Sequence, residues 1–148
     1  MTDQDYMREA LDLARACVPD GDIPVGCVVA APDGQIIGRG RNRREADRRA
    51  TAHAEIEAIE QACAAVGSWR LTGCTLYVTL EPCPMCAGAV INARIGEVRY
   101  GAREEKSGCC GSVLNLFEER FNHHPRIYQG PLETECEAVL QEFFQNLR

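Results

Sequence analysis

The run Thr75-Leu76-Tyr77-Val78-Thr79-Leu80 is β-branched and aromatic, as a buried strand requires, and it stops at Pro82-Cys83-Pro84-Met85-Cys86. Proline cannot donate to a sheet ladder, and its fixed φ matches the first turn of a helix. The chain must therefore change from strand to helix here, the helix running through Met85 to about Arg94. No other segment constrains the fold as tightly. It also sets two cysteines three residues apart on one face of a helix start, where both sulfurs can reach one soft or borderline metal ion.

The rest of the chain organises around this junction. Residues 3–18 carry Met7, Leu11, Ala14 and Val18 at helical steps and predict an amphipathic helix ending before Pro19-Asp20-Gly21. Val25 to Ala30 and Gln35 to Gly38 flank the turn cluster Pro32-Asp33-Gly34, a hairpin. Residues 39–51 lack an apolar period and read as an exposed loop. A helix from Ala54 follows, which Gly67 can end. Glu97 to Gly101 predicts a fourth strand, Val113 to Arg120 a short helix, and Arg126 to Gln129 a fifth strand. Glu133 to Leu147 closes the chain as a helix with Phe143 and Phe144 in the core. Trp69 reads as a core or interface anchor. The order α-β-β-α-β-α-β-(α)-β-α predicts an α/β fold with helices on both faces of one mixed sheet.

A chain of 148 residues with 45% hydrophobic and 26% charged residues has the make-up of one globular domain, which excludes general disorder. No apolar run suits a membrane span, and the opening MTDQDYMREA does not resemble an export signal. Nine cysteines, an odd count without such a signal, fit metal ligation plus free thiols better than a disulfide framework. The formal charge of −6 argues against a generic nucleic-acid coat. Positive charge is nevertheless concentrated mid-chain, with six arginines between Arg39 and Arg49.

His53-Ala54-Glu55 opens the second long helix. A His-x-Glu triplet is a weak signal alone, whereas Pro-Cys-x-x-Cys is expected only about 0.03 times in a chain of this composition. Together they offer an N,S,S donor set from His53, Cys83 and Cys86. Zinc is the natural occupant, and three protein ligands leave a fourth position for water or hydroxide. Two residues apart in a regular helix, His53 and Glu55 would point to nearly opposite faces, so they converge only if the metal lies off the helix end. Glu55 is then free to take the proton of the zinc-bound water and pass it to a leaving nitrogen, which is hydrolytic deamination of an amidine-like carbon. A structural zinc knuckle completed by another cysteine or histidine is the alternative, and it leaves Glu55 without a role.

With these residues in hand, the chain resembles the zinc-dependent nucleobase deaminases over nearly its whole length, through His53-Ala54-Glu55 and Glu81-Pro82-Cys83-Pro84-Met85-Cys86-Ala87-Gly88-Ala89. Within them it is similar to the bacterial tRNA-specific adenosine deaminases. That narrower resemblance rests on Ile23-Pro24-Val25-Gly26, Gly40-Arg41-Asn42-Arg43, Ser68-Trp69-Arg70-Leu71, Gly101-Ala102-Arg103, Lys106-Ser107-Gly108 and Phe121-Asn122-His123.

The resemblance implies a single zinc-dependent deaminase domain over residues 1–148, with the cytidine deaminase-like three-layer α/β/α sandwich around a mixed five-stranded sheet. It implies one zinc per subunit on His53, Cys83 and Cys86, with Glu55 shuttling the proton. Asn42 would hydrogen-bond a flipped nucleotide, Val25 and Gly26 would line the base pocket, and the 102–108 loop with Glu104, together with Asn122, would touch neighbouring nucleotides. The implied reaction converts the wobble adenosine of a tRNA anticodon loop to inosine, in a cytoplasmic homodimer that meets through the apolar helix 83–93. Relatives often carry aspartate after Gly-Ala-Arg, whereas this chain has the longer Glu104-Glu105, and Lys106 is its only lysine. Two other readings stand beside this one: a deaminase of a free base or nucleoside of the guanine or cytosine type, and a non-catalytic zinc-stabilised binding module.

Overall fold

The computed structural model describes residues 1–147. Ten regular elements follow one another: α1 (Asp3–Arg15), β1 (Gly26–Ala30), β2 (Ile36–Arg41), α2 (Arg44–Asp47), α3 (Ala54–Val66), β3 (Thr75–Leu80), α4 (Pro84–Ala93), β4 (Glu97–Ala102), β5 (Arg126–Gln129) and α5 (Glu133–Gln145). The sheet has the order β2-β1-β3-β4-β5. The first three neighbours are antiparallel, and β3, β4 and β5 run parallel. The α4 connection between β3 and β4 makes the βαβ unit that a parallel pair needs. One core cluster joins α1 and α5 to the sheet through Met7, Leu11, Val28 and Cys136. The other joins α3 and α4 through Ala58, Leu76, Val90 and Val98, so the expected three-layer sandwich is formed.

Small residues set how closely the layers approach. Gly38 and Gly40 fall on one face of β2, two residues apart, and α3 lays Ala54, Ala58 and Ala62 against that strand. A Cβ on Gly40 would stand 2.8 Å from the Ala58 nitrogen and 2.9 Å from Glu57 Cβ, and closer still to the Ala54 carbonyl oxygen. On the other side of the sheet, a Cβ on Gly26 would reach within 2.7 Å of the Ala14 nitrogen in α1. The α1 start is closed by a capping box: Asp5 N–H donates to Thr2 Oγ1 at 3.2 Å, and Thr2 N–H donates to Asp5 Oδ2 at 2.8 Å.

Several expectations are corrected. The first helix ends at Arg15 rather than 18, and a single 3-10 turn, Val18–Asp20, carries the chain to Gly21 at φ 77°. The arginine-rich stretch is not a loop throughout. Strand β2 continues to Arg41, where it pairs with Gly26, and α2 then adds one helical turn. Asp22, 1% exposed, holds that turn by accepting from the N–H groups of Glu45 (2.6 Å) and Ala46 (3.1 Å). The helix expected over 113–120 shrinks to the 3-10 turn Leu116–Glu118, anchored by buried Phe117. Adjacent residues on a helix point about 100° apart, so α5 buries Phe143 and leaves Phe144 48% exposed. Of the two readings of Trp69, core or interface anchor, the core is overturned: the side chain is 55% exposed, with the guanidinium groups of Arg70 and Arg94 within 4.9 and 5.6 Å of its ring centroid. No helix among the described residues is long and apolar enough to cross a membrane.

Candidate active site

Two helix starts meet at the cleft. His53 and Cys83 hold the N-cap positions of α3 and α4 with extended backbone, at φ −84° and −77°, and neither side chain caps its helix. Their side chains are thereby free to turn toward each other. Pro84 sets the first helical position of α4, and Cys86 follows in its first turn. His53 Nδ1 lies 3.5 Å from both Cys83 Sγ and Cys86 Sγ. The three donor atoms all fall within 4.8 Å of one another and could hold one metal ion. Among the described residues no further histidine, cysteine or carboxylate joins that cluster. Because His53 precedes the first helical residue, the constraint that a regular helix would place on His53 and Glu55 does not apply.

The two sulfurs are shifted in opposite directions. Cys83 is pulled down to about 4, first by the hydrogen bond from the Cys86 thiol and then by His53. Cys86 is pushed up because it donates that hydrogen bond and is buried. Glu55, 4% exposed in the first turn of α3, has its carboxyl pushed up to about 7 by burial. Such a group can change protonation near neutral pH, which suits proton transfer.

These residues sit at a cleft of about 280 Å³. Val25, Asn42 and Glu104 line it together with His53, Glu55 and Cys83. Asn42, buried between walls, donates from Nδ2 to the Ile23 carbonyl at 3.0 Å and accepts at Oδ1 from the Arg44 N–H at 3.1 Å. One N–H and one lone pair of this amide remain uncommitted. Glu104 turns its carboxylate back to accept from the Lys106 N–H at 3.0 Å. Two expected residues are not among those lining the cleft. Gly26 owes its lack of a side chain to α1, as described above, and Asn122 is exposed. Its neighbour His123 donates from Nε2 to the Ile95 carbonyl at 2.6 Å, a local role.

The cleft also holds residues that sequence reasoning left without a role. Glu81 appeared only as part of a motif, and Phe144 was assigned to the core, yet both line the cleft, as do Arg44 and Arg103. Glu81 is 3% exposed. Burial alone would raise its carboxyl, but donors from Ser112, Glu104 and Cys110 outweigh it and hold the group below the usual carboxylate range. Among the mid-chain arginines, Arg39, Arg41 and Arg43 pair with Glu9, Asp20 and Glu57. Arg44, Arg48 and Arg49 make no ion pair with a described residue, and of these Arg44 lines the cleft.

The whole chain, residues 1–148, matches the family described as MafB19-like deaminase. It is 50% identical over 147 residues to a tRNA-specific adenosine deaminase of Bacillus subtilis (strain 168), a match that covers 99% of this chain and 91% of the relative. A structure from a study of A-to-I editing by tRNA:A34 deaminases at the wobble position of transfer RNA is similar at a TM-score of 0.87 and 42% identity. That likeness covers 93% of this chain and 99% of the other. A guanine deaminase from Bacillus subtilis is similar at a TM-score of 0.68 and 31% identity, over 99% of this chain and 95% of that one.

Proposed function

The chain belongs to the MafB19-like deaminase family and, among deaminases, to the tRNA-specific adenosine deaminases, and from that premise we infer that it hydrolyses the wobble adenosine of a tRNA anticodon to inosine. Water replaces the 6-amino group of the base, and ammonia leaves. The observation that carries this reading is a buried carboxyl, Glu55, lining the same cleft as the His53 and Cys83 donors.

The donor set fits zinc. Tetrahedral coordination with metal–sulfur distances of about 2.3 Å and metal–nitrogen distances of about 2.0–2.1 Å separates nitrogen from sulfur by about 3.5 Å, and His53 Nδ1 stands 3.5 Å from each sulfur. Cys83, already drawn toward the thiolate, and Cys86 would hold the ion with His53, one zinc per subunit. Bound there, zinc supplies Lewis-acid activation of water near neutral pH. Glu55 accepts a proton from the attacking water at its carboxylate oxygen and delivers it to the ring nitrogen beside the attacked carbon, then takes the proton of the newly formed hydroxyl and passes it to the amino nitrogen, which departs as ammonia.

The remaining lining residues bind and orient. Val25 offers an apolar surface to the face of the base, and Asn42 uses its uncommitted amide groups on the flipped nucleotide. Phe144 gives the exposed aromatic face on which a neighbouring base stacks. Arg44 and Arg103 set positive charge beside the phosphates, so binding weakens as salt rises. The same reading carries a single deaminase domain over residues 1–148 and a homodimer built on α4, in the cytoplasm where tRNA is processed.

The test is inosine formation on an anticodon stem-loop containing the wobble adenosine, beside free adenine, guanine, cytosine and cytidine, with Glu55→Ala as the blank. Turnover of the stem-loop alone, lost in the variant, is the expected result. Turnover of a free base instead would keep the site chemistry and overturn the substrate.

A further inference from the structure

The cleft contains two buried carboxyls, Glu55 and Glu81, and their surroundings give them different work. Glu81 follows the last residue of β3 and stands two residues before Cys83. Its Oε1 accepts from the Glu104 N–H at 3.1 Å and from the Ser112 hydroxyl. Its Oε2 accepts from the N–H groups of Cys110 (2.8 Å) and Ser112 (3.1 Å). A carboxylate has about four acceptor sites, and here each oxygen takes two donors. No site is left over for a substrate proton.

The donors all belong to one segment. Residues 104–112 are polar and lack helix or strand pairing apart from one isolated bridge, Cys110 to Asn115. The segment instead wraps the Glu81 carboxylate. A Cβ on Gly108 would stand 2.5 Å from Glu81 Oε2 and closer still to Cδ, so the wrap requires glycine there. The Cys109 N–H donates to the Pro82 carbonyl at 2.9 Å, tying the same segment to the turn that presents Cys83. Glu104 and Ser107, within the wrapped segment, line the cleft together with Asn42.

The geometry points to Glu81 as a positioning residue for the deamination: its carboxylate templates the 104–112 segment into the cleft wall that receives the substrate. This assignment rests on the functional reading above. Backbone bonds from Val113 and Leu116 to the Gly108 and Cys109 carbonyls (3.0 Å each) and the burial of Cys109 also hold the segment, but only the Glu81 carboxylate gathers Glu104, Cys110 and Ser112 onto one group. Glu81→Gln keeps the shape but turns an amide NH₂ toward N–H or O–H donors, leaving one oxygen's worth of donors unmatched.

The experiment measures stem-loop kinetics, zinc content and hydrogen–deuterium exchange on the holoenzyme and on Glu81→Gln. The expected outcome is unchanged zinc content and KM raised about tenfold, with kcat within about threefold. Exchange is expected to quicken at the amides of Glu104, Cys110 and Ser112. A fall in kcat of about a hundredfold with KM unchanged would mean that Glu81 acts in the chemistry, and would overturn the assignment. A lower melting temperature with both constants unchanged would reduce the residue to a fold contact and would also overturn it. Should Glu81→Gln fail to fold, Ser112→Ala removes only the hydroxyl donor. It is expected to raise KM about threefold, and an unchanged KM refutes the proposal. If the parent protein does not deaminate the stem-loop, the functional reading fails by itself. The exchange pattern of the variant still decides whether the carboxylate holds the segment.

Discussion

The seat of α3 on β2 can be tested with one methyl group. Gly40→Ala places a Cβ 2.8 Å from the Ala58 nitrogen and 2.9 Å from Glu57 Cβ, in addition to its clash with the Ala54 carbonyl. Restoring an ordinary separation of about 3.5 Å moves the α3 backbone outward by about 0.7 Å at the least. Overpacking of this kind costs about 1–3 kcal/mol. Alanine offsets about 0.4–1 kcal/mol by restricting the unfolded chain, since Gly40 does not need a positive φ. For a chain of this size each kcal/mol is worth about 2–4 °C, so the net loss, about 0–2.6 kcal/mol and toward the upper end because the clash is with backbone, should lower the melting temperature by up to about 10 °C. Because Ala54 adjoins both His53 and Glu55, the displacement reaches the site. A misplacement approaching 1 Å can cost about a hundredfold in rate, and a loss of about tenfold or more in kcat is expected. Thermal unfolding by circular dichroism and inosine release from a stem-loop measure the two effects. A variant as stable and as active as the parent would refute the claim that this glycine sets the depth of the helix.

Other perturbations separate chemistry from packing. Glu55→Gln should retain metal and melting temperature while turnover falls about 10²–10⁴-fold, checked by elemental analysis beside kinetics. Gly88 in α4 has open space around it within one subunit, where alanine alone would add about 0.5–1 kcal/mol of stability. In the homodimer proposed on that helix the added methyl crowds the interface, so Gly88→Ala should lose stability and show a smaller mass in light scattering, and a gain in calorimetry at unchanged mass would refute that interface. After chelation at pH 7, Cys83 should be the first cysteine alkylated by iodoacetamide, because its pKa of about 4 leaves it as thiolate. Restoring zinc should protect it. Phe144→Ala should weaken stem-loop binding by about 1–3 kcal/mol without changing the fold, read by titration at fixed salt.

The parts of the site that were legible in the sequence are those encoded by local spacing. Cys83 and Cys86 announce themselves through their separation and the flanking prolines, and His53-Ala54-Glu55 gains meaning beside them. Glu81 was not legible as a support, because its partners lie about a loop away and a polar segment carries no period that says what it wraps. Strand β2 was cut short for a related reason. Gly38-Arg39-Gly40-Arg41 alternates as a strand should, but its inward positions are glycines and do not read as apolar. Phe144 next to Phe143 looked like more core, and only the turn angle of α5 against the sheet decides which ring is exposed. Gly26 illustrates the opposite case. A position matched to a pocket motif is accounted for by the helix behind it.

His53 and Cys83 occupy the places where serine, threonine or aspartate would ordinarily stabilise a helix start, and neither forms a capping bond. Such a cap is worth about 1 kcal/mol, so both helices begin less firmly than the same backbone allows. An ion held across the two starts would make up the difference, and occupancy and local order would then form a single equilibrium that a ligand at 100 times its Kd shifts by about 2.7 kcal/mol. Aspartate at either position would firm the empty protein while deleting a donor. A search for heat-resistant variants carried out without metal would therefore drift toward an inert scaffold, and selection has to be made on the loaded form.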